Sequence, residues 1–281
     1  MRSLHHVFAP AKLNLFLHIT GRRDDGYHLL QSVFMLIDWC DTLHFDVRED
    51  GKIQRQDLTV SLPADDLVMR AAQSLQRASG THLGAHIAIE KHIPAQAGMG
   101  GGSSDAASTL LALNRLWGLH WPLSRLLPLG LELGADVPFF LSGQNAWVQG
   151  IGEQITPIEL PAAQFAVVKP NAGLETAKIF RAPQLARATE TATMPLFAAN
   201  HYGFGRNDLQ PVAQALCPEI DQVLQWLGSY GLSPRMTGSG SAVFAKLPDG
   251  VLIGSAPHNW QMRICSNMAA HPQAGWAASE S

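Results

Sequence analysis

The first part of the chain alternates apolar and polar positions. Between residues 11 and 19 leucine or isoleucine recurs at every second position, which is the period of a half-buried strand. Lys12 and Asn14 therefore share one face of that strand. The polar segment 21–26 has glycine at both ends and predicts a turn, and residues 29–38 predict a second strand. Tyr27 and His28 lie at the junction.

The next region predicts a strand, a glycine-rich loop and a helix in that order. Residues 67–78 form an apolar run of helical spacing that ends at Gly80, and Asp65 and Asp66 are placed to cap its first turn. Residues 86–93 alternate as a strand. Residues 94–104 are predicted as a loop, and apolar positions then recur at helical spacing from Ala106 to Trp117, before Gly118.

The later part of the chain predicts a mixed second domain. A helix at 126–133 ends at Gly134, and Pro138 disfavours a helix, so residues 135–137 are predicted as a loop. A composition break at 150–161 predicts two domains, 1–155 for ATP binding and catalysis and 156–281 for substrate binding. A strand at 165–169, a helix at 220–226 and a strand after 237–240 follow. The weakly patterned tail after Gly254 is expected to be partly loose.

Composition narrows the function classes. Hydrophobic residues make up 46% of the 281 residues and charged ones 15%, as in globular enzymes. A net charge of -3 offers no basic surface for nucleic acid. Three cysteines, outside any paired motif, predict neither a disulfide framework nor a zinc site. Without a signal-peptide core or an 18-residue apolar run, we expect a cytoplasmic protein that does not enter membranes.

A glycine-rich segment is the main candidate for chemistry. Glycines at 98, 100, 101 and 102 let backbone amides face an anion, and the following helix adds its positive end. Ser103 and Ser104 add hydroxyls that can cap the helix, contact phosphate or assist a metal ion carried by a nucleotide. The alternative is a flexible connector, but four glycines in five residues exceed what a cap requires. The lysine of a Walker loop and the setting of a dinucleotide fold are both missing.

Other candidate residues indicate a function only in combination with this glycine-rich segment. Phosphoryl transfer needs a positive charge and a group that orients or deprotonates the attacking hydroxyl, and Lys12 and Asp136 are candidates for these roles. Alone, each also fits a solvated strand face or an ordinary loop. Tyr27 and His28 can stack on and hydrogen-bond a base, or simply begin a strand. The twelve histidines show no compact ligand spacing, so we assign no protein-held metal.

Taken together, these segments resemble the GHMP kinases. Residues 94–104, Pro-Ala-Gln-Ala-Gly-Met-Gly-Gly-Gly-Ser-Ser, are similar to the phosphate-binding loop of that family. Segments 10–17, 21–28, 133–138 and 206–209 look like the members that act on a cytidine-diphosphate alcohol. The resemblance implies a two-domain α+β fold, with a ribosomal S5-like N-terminal domain, a ferredoxin-like C-terminal domain and a cleft between them.

The resemblance also implies an activity and a set of site residues. The activity is ATP-dependent phosphorylation of the 2-hydroxyl of a cytidine-diphosphate methylerythritol, in non-mevalonate isoprenoid synthesis, with ATP carrying Mg²⁺. Asp136 would orient or deprotonate the hydroxyl, and Lys12 would stabilise charge. The ATP-binding set comprises Asp66, Pro94, Ala95, Gln96, Ala97, Gly98, Met99, Gly100, Gly101, Gly102, Ser103 and Ser104. The substrate-binding set comprises Asn14, Tyr27, His28, Thr176, Phe180, Thr237 and Gly238.

Two alternatives remain open at this point. A kinase of the same family for homoserine, mevalonate or a sugar would share the loop without needing Tyr27 and His28. A non-catalytic nucleotide-binding sensor would keep the fold without turnover, although Lys12 and Asp136 speak against it. The expected partners are small molecules, and the expected assembly is a monomer or a weak homodimer.

Overall fold

Two sheets organise the protein in the computed structural model, which describes residues 2–257 and 259–279. The larger sheet has the order β3-β4-β2-β5-β6, with β1 also paired to β2, and only its β3–β4 pair is parallel. Its strands are β1 (Ser3–Arg22), β2 (His28–Arg48), β3 (Ile53–Asp57), β4 (Gly84–Glu90), β5 (Ala146–Gly150) and β6 (Gln154–Pro157). The smaller sheet has the antiparallel order β10-β7-β9-β8. Its strands are β7 (Gln164–Lys169), β8 (Arg235–Met236), β9 (Val243–Leu247) and β10 (Gln261–Ser266).

Four helices accompany each sheet in the described part of the chain. Those of the first half are α1 (Leu67–Ser79), α2 (Gly101–Leu116), α3 (Leu123–Leu133) and α4 (Val137–Ser142). Those of the second half are α5 (Thr176–Arg181), α6 (Met194–Ala198), α7 (Gln210–Leu216) and α8 (Glu219–Gly228). Across residues 2–257 and 259–279, none of the helices has the length and apolar character needed to span a bilayer.

The long strand β1 is buried on both faces, which corrects the prediction of a half-buried strand. Leu13 and Leu15 pack with Phe165 and Phe244 of the smaller sheet, and the core therefore continues between the two sheets. Lys12 shares a face with Asn14 as predicted, but only about 3% of its surface is exposed. The alternation identified the strand, whereas the second covering layer comes from residues far away in sequence.

Two predicted loops contain helical residues instead. The helix α2 begins at Gly101 rather than after Ser104, because Gly100 adopts φ 72° and ends the loop as the cap residue. The run of glycines predicted a longer loop, because glycine disfavours a helix. Packing of the buried part of α2 outweighs this preference, so residues 101–104 are helical. The helix α4 begins at Val137 and contains Pro138 in its first turn, where the missing N–H of proline costs nothing. The predicted loop at 135–137 is therefore wrong for Val137 only, since Ala135 and Asp136 lie in the turn before α4.

The tail was also predicted incorrectly, because residues after Gly254 include a paired strand. The strand β10 pairs with β7 at the edge of the smaller sheet, where its mostly exposed side chains leave no hydrophobic pattern. Farther on, Gln273 Nε2 donates to Phe8 O at 2.8 Å, and its Oε1 accepts from Ser108 Oγ at 2.9 Å. These bonds fasten the tail to the first half of the chain.

The division into domains stays a prediction. Residue 155 lies within β6, which pairs with β5 in the larger sheet, and the smaller sheet begins at Gln164. The tail then returns to the larger sheet's side of the molecule.

His271 makes the tail a source of acid sensitivity. Its ring is buried, Nδ1 accepts from Gln273 N at 3.2 Å, and Nε2 has no partner within the described residues. Burial lowers its pKa from 6.5 to about 3. The unfolded chain therefore binds more protons between these values, so stability is lost as the pH falls below 6.5 towards 3.

We expect His271→Asn to remove this acid-sensitive component. Asparagine keeps an acceptor for the Gln273 amide and does not titrate. Between pH 7 and pH 5 the wild type should lose about 2 kcal/mol more unfolding free energy than the variant. Urea unfolding at the two pH values measures this difference. Equal losses in the two proteins would show that His271 has the same pKa in the folded and the unfolded state, which contradicts this account.

Candidate active site

A cavity of about 990 Å³ collects most of the predicted site residues. Those lining it are Lys12, Asn14, Asp66, Pro94, Ala95, Gln96, Ala97, Gly98, Met99, Gly100, Gly101, Gly102, Ser103, Asp136, Thr176, Phe180 and Gly238. A second cavity of about 570 Å³ is lined by Tyr27, His28 and Phe180. The two cavities share Leu30, Ile151, Ala177 and Phe180, so they adjoin one another.

Two predicted residues lie behind the cavity wall. Thr237 is fully buried, and its Oγ1 accepts from Asn14 N at 2.9 Å, which ties residues 237–240, the second glycine loop, to β1. Ser104 is also buried, and its hydroxyl has no partner within the described residues. Of the predicted pair of serines, only Ser103 lines the cavity. The predicted ATP-binding role of Ser104 and the predicted substrate-binding role of Thr237 stay predictions.

Lys12 and Asp136 meet in the first cavity. Lys12 Nζ lies 3.6 Å from Asp136 Oδ2 and donates to Asn14 Oδ1 at 2.5 Å. Asn14 Nδ2 in turn donates to Ser32 Oγ at 2.9 Å, and Lys12 Nζ lies 4.5 Å from the centre of the Phe34 ring. The lysine stem is packed, so its ammonium group has one defined direction.

The environment of Lys12 opposes its charge. Burial lowers the pKa of its amino group below 10.5, and the neighbouring Asp136 carboxylate raises the pKa in the opposite direction. The side chain of Asp136 remains about one-third exposed towards the cavity. The pair therefore holds a cation over an accessible carboxylate, which suits the binding and activation of a hydroxyl beside a phosphate.

The glycine loop is held by the second glycine loop at 237–240. Gly98 has φ 72°, and a Cβ atom there would lie 2.3 Å from Thr237 O. Ser241 N donates to Gln96 O at 3.1 Å, and Ala242 N donates to Ala97 O at 3.2 Å. Only glycine fits such an approach of two backbones, so the two loops form one rigid wall of the cavity.

The same loop leads directly into α2. Lys12 N donates to Met99 O at 2.9 Å, which fixes the loop against β1. Gly100 caps α2 without a side-chain hydrogen bond, so the first amides of this 16-residue helix stay available to a ligand. Free amides and the positive helix end favour an anion at this place.

Asp66 has a structural role as well as its place on the cavity wall. Its Oδ1 accepts from Met69 N at 3.0 Å and so caps α1, as the sequence predicted. The same carboxylate pairs with Arg55 at 2.5 Å. Thr176, which was predicted to bind substrate, bonds Ser239 at 2.7 Å and lies towards the glycine loops.

Sequence reasoning missed an ion cluster behind the glycine loop. Lys91 Nζ contacts the carboxylates of both Asp41 and Asp105. Asp41 Oδ1 also accepts from the amides of His92 and Ile93, at 2.6 and 2.8 Å, just before the loop begins. Burial raises the pKa of Asp105 well above its usual value, and Lys91 opposes that rise. The position of Lys91 three residues before Pro94 was the available signal.

The second cavity combines aromatic rings with arginine side chains. Tyr27 is 61% exposed at its mouth, and the rings of His28 and Phe180 lie 5.1 Å apart. Arg22, Arg181 and Arg187 also line it, and Arg187 Nε donates to His28 Nε2 at 3.1 Å. Burial lowers the pKa of His28, and Arg187 and Arg22 lower it further. No sequence pattern pointed to Arg187, because 159 positions separate it from His28.

Family comparisons agree with this geometry. The family described as GHMP kinases N terminal domain matches residues 66–144, and GHMP kinases C terminal matches residues 185–250. The 4-diphosphocytidyl-2-C-methyl-D-erythritol kinase of Albidiferax ferrireducens is 65% identical over 280 residues, covering 100% of this chain and 98% of the relative. The enzyme of the same name from Paracidovorax citrulli is 62% identical, with 100% of both chains covered.

Solved structures agree as well. A crystal structure of 4-(cytidine 5'-diphospho)-2C-methyl-D-erythritol kinase is 36% identical with a TM-score of 0.75, covering 86% of this chain and 90% of that one. Methanococcus jannaschii mevalonate kinase shares the fold at 13% identity with a TM-score of 0.67, covering 95% and 98%. The predicted GHMP kinase fold is thus confirmed. The chain belongs to the 4-diphosphocytidyl-2-C-methyl-D-erythritol kinase family of the GHMP kinases.

Proposed function

We propose that the protein transfers the γ-phosphoryl group of ATP to the 2-hydroxyl of 4-diphosphocytidyl-2-C-methyl-D-erythritol. The observation that carries this proposal is the Lys12–Asp136 pair in a cavity that adjoins the aromatic cavity of Tyr27, His28 and Phe180. A donor nucleotide and a nucleotide-linked acceptor need two such neighbouring sites. Family membership supports the same assignment.

The first cavity binds the phosphates of ATP. Amides of residues 98–103 and the N-terminal end of α2 face the phosphate chain, where backbone donors and the helix dipole favour negative charge. The packing of Gly98 against Thr237 keeps these amides in place before ATP arrives. Preformed donors of this kind stabilise charge without reorganising during the reaction.

Asp136 and Lys12 act on the acceptor hydroxyl. The Asp136 carboxylate accepts the hydrogen bond, and finally the proton, of that hydroxyl. The hydroxyl oxygen forms a bond to the γ-phosphorus while the bond from this phosphorus to the bridging oxygen breaks, and ADP leaves with that electron pair. Lys12 stabilises the negative charge on the transferring group, and its ammonium group lies 3.6 Å from the Asp136 carboxylate that receives the proton.

The second cavity selects the acceptor by its base. Tyr27 and Phe180 offer ring faces for stacking, and His28 offers a hydrogen bond. Acceptors such as homoserine, mevalonate or a sugar lack a base and would leave these groups unused. The cavity therefore favours a cytidine-linked acceptor over those alternatives.

The proposal also covers the metal ion, the location, the assembly and the domains of the protein. ATP would enter as its Mg²⁺ complex, because the metal neutralises phosphate charge during transfer. A cytoplasmic location is supported by the free thiols of Cys40, Cys217 and Cys265. A monomer or weak homodimer and the 1–155 and 156–281 division complete the proposal.

The test of this proposal is to measure turnover with a panel of phosphoryl acceptors. Purified protein with magnesium-ATP should form ADP with the cytidine-diphosphate acceptor and show at least a hundredfold lower kcat/KM with homoserine, mevalonate or galactose. CDP should inhibit competitively against the acceptor. Turnover of mevalonate or homoserine without inhibition by CDP would replace this proposal by the alternative kinase, and ATP binding without turnover of any acceptor would favour the sensor.

A further inference from the structure

His28 reaches the wall of the second cavity with one ring nitrogen already engaged. Arg187 Nε donates to His28 Nε2 at 3.1 Å. Since a guanidinium group has only donors, His28 Nε2 must present its lone pair. The proton of the neutral ring then resides on Nδ1. Within residues 2–257 and 259–279 no group hydrogen-bonds Nδ1, so this N–H is available to a ligand.

The orientation of Arg187 is fixed by backbone carbonyls. One terminal nitrogen donates to Phe180 O at 3.2 Å and Ala182 O at 2.7 Å, and the other donates to Leu185 O at 3.0 Å. The guanidinium plane is therefore held from two sides and cannot turn its Nε–H away from His28. The same bonds connect the base-stacking residue Phe180 to the histidine.

The surroundings of His28 keep its ring neutral. Arg187 and Arg22 both place positive charge beside it, and these two charges add to burial in lowering its pKa. Within the described residues no carboxylate pairs with Arg187 to cancel its charge. A second proton on Nε2 would also face the Nε–H of Arg187 directly. The two charges disfavour the imidazolium, and the facing Nε–H of Arg187 disfavours both the imidazolium and the Nε2–H tautomer.

We propose that Arg187 is a positioning residue that holds His28 as a fixed Nδ1–H donor, and that this donor bonds N3 of cytosine and rejects uracil. The inference rests on the proposed function, since it concerns the base of the same acceptor. Cytosine N3 carries a lone pair, whereas uracil N3 carries a proton, which would meet the Nδ1–H donor to donor. Such a mismatch leaves a buried donor unpaired and discriminates more strongly than a missing contact.

Calorimetric binding of CDP and UDP tests the inference. The wild type should bind CDP at least about tenfold more tightly than UDP. Arg187→Met should bring the two affinities within about threefold of each other. Arg181→Met is the matched control, because it removes an arginine from the same cavity wall without a bond to His28; it should weaken both ligands alike and keep their ratio.

Two further measurements separate positioning from general support. In a His28→Ala background, Arg187→Met should leave the CDP to UDP ratio unchanged, because the discriminating donor is already absent. Nitrogen-15 NMR of the imidazole should show His28 as the Nδ1–H tautomer in the wild type and as a mixture in Arg187→Met. If that variant does not fold, the wild-type spectrum decides: a proton on Nε2 overturns the inference.

Other outcomes are equally decisive. Equal losses of CDP and UDP affinity in Arg187→Met, with the tautomer unchanged, would make Arg187 a structural anchor only and overturn the inference. A wild type that binds both nucleotides equally overturns it as well. A wild type that binds neither nucleotide contradicts the proposed function itself.

Discussion

Asp136→Ala is expected to lower kcat by roughly 100- to 10,000-fold, the range associated with loss of a general base. The alanine cannot accept the hydroxyl proton, and Lys12 loses the carboxylate that lies 3.6 Å from its ammonium group. Because this carboxylate opposes the effect of burial, the pKa of Lys12 falls further in the variant. Steady-state kinetics with the cytidine-diphosphate acceptor measures the loss.

The control for Asp136→Ala is Glu132→Ala. Glu132 is an exposed carboxylate on α3, four residues earlier in the chain, so its loss changes net charge equally without touching the cavity. It should leave kcat within about twofold of the wild type. Calorimetric ATP affinity should remain near the wild-type value in both variants. Retention of most turnover by Asp136→Ala would exclude the assigned role.

Gly98→Ala should have the second largest effect, through ATP binding. A left-handed φ of 72° costs an alanine roughly 1–2 kcal/mol. Its Cβ would also lie 2.3 Å from Thr237 O, which forces the two glycine loops apart. We expect the dissociation constant for ATP to rise at least tenfold and the melting temperature to fall.

Gly118→Ala is the control that separates the effect of backbone strain from the effect of the steric clash. Gly118 has φ 66°, and no atom lies within 4 Å of a Cβ added there, so this variant carries the backbone strain without the clash. It should lose roughly 1–2 kcal/mol of stability and keep its ATP affinity. If Gly98→Ala binds ATP as tightly as the wild type does, separation of the two loops does not affect ATP binding. The phosphate site would then lie elsewhere.

The local sequence was sufficient to predict the parts of the site that neighbouring residues form by themselves. The glycines before α2 predicted the anion-facing loop, and the alternation of β1 predicted that Lys12 and Asn14 share a face. The depth at which Lys12 lies was not predictable, because Phe34, Gly100 and Asp136, which come from other parts of the chain, surround its side chain. Contacts between residues so far apart in the chain leave no pattern within ten consecutive residues of the sequence.

In the second cavity, too, the sequence predicted the residues of one local segment but not the residues that reach it from elsewhere in the chain. Tyr27 and His28 were recognisable through a local segment that resembles the family. Arg187 and Phe180 reach His28 only after α5 and its following turn fold back onto β2. The tail was misjudged for a related reason, since the strand β10 and Gln273 gain their order from partners more than 90 residues away. Charge and hydrogen-bond pairing of this kind requires the fold.

Determination of the reaction product tests the central claim most directly. After incubation with ATP and 4-diphosphocytidyl-2-C-methyl-D-erythritol, phosphorus-31 and carbon-13 NMR should reveal one new phosphomonoester, coupled to C2 of the methylerythritol and formed in equal amount to ADP. The same mixture with Asp136→Ala should yield almost none. A phosphoryl group on another hydroxyl, or ADP formed without any phosphomonoester, would contradict the assignment of this cavity to transfer onto the 2-hydroxyl.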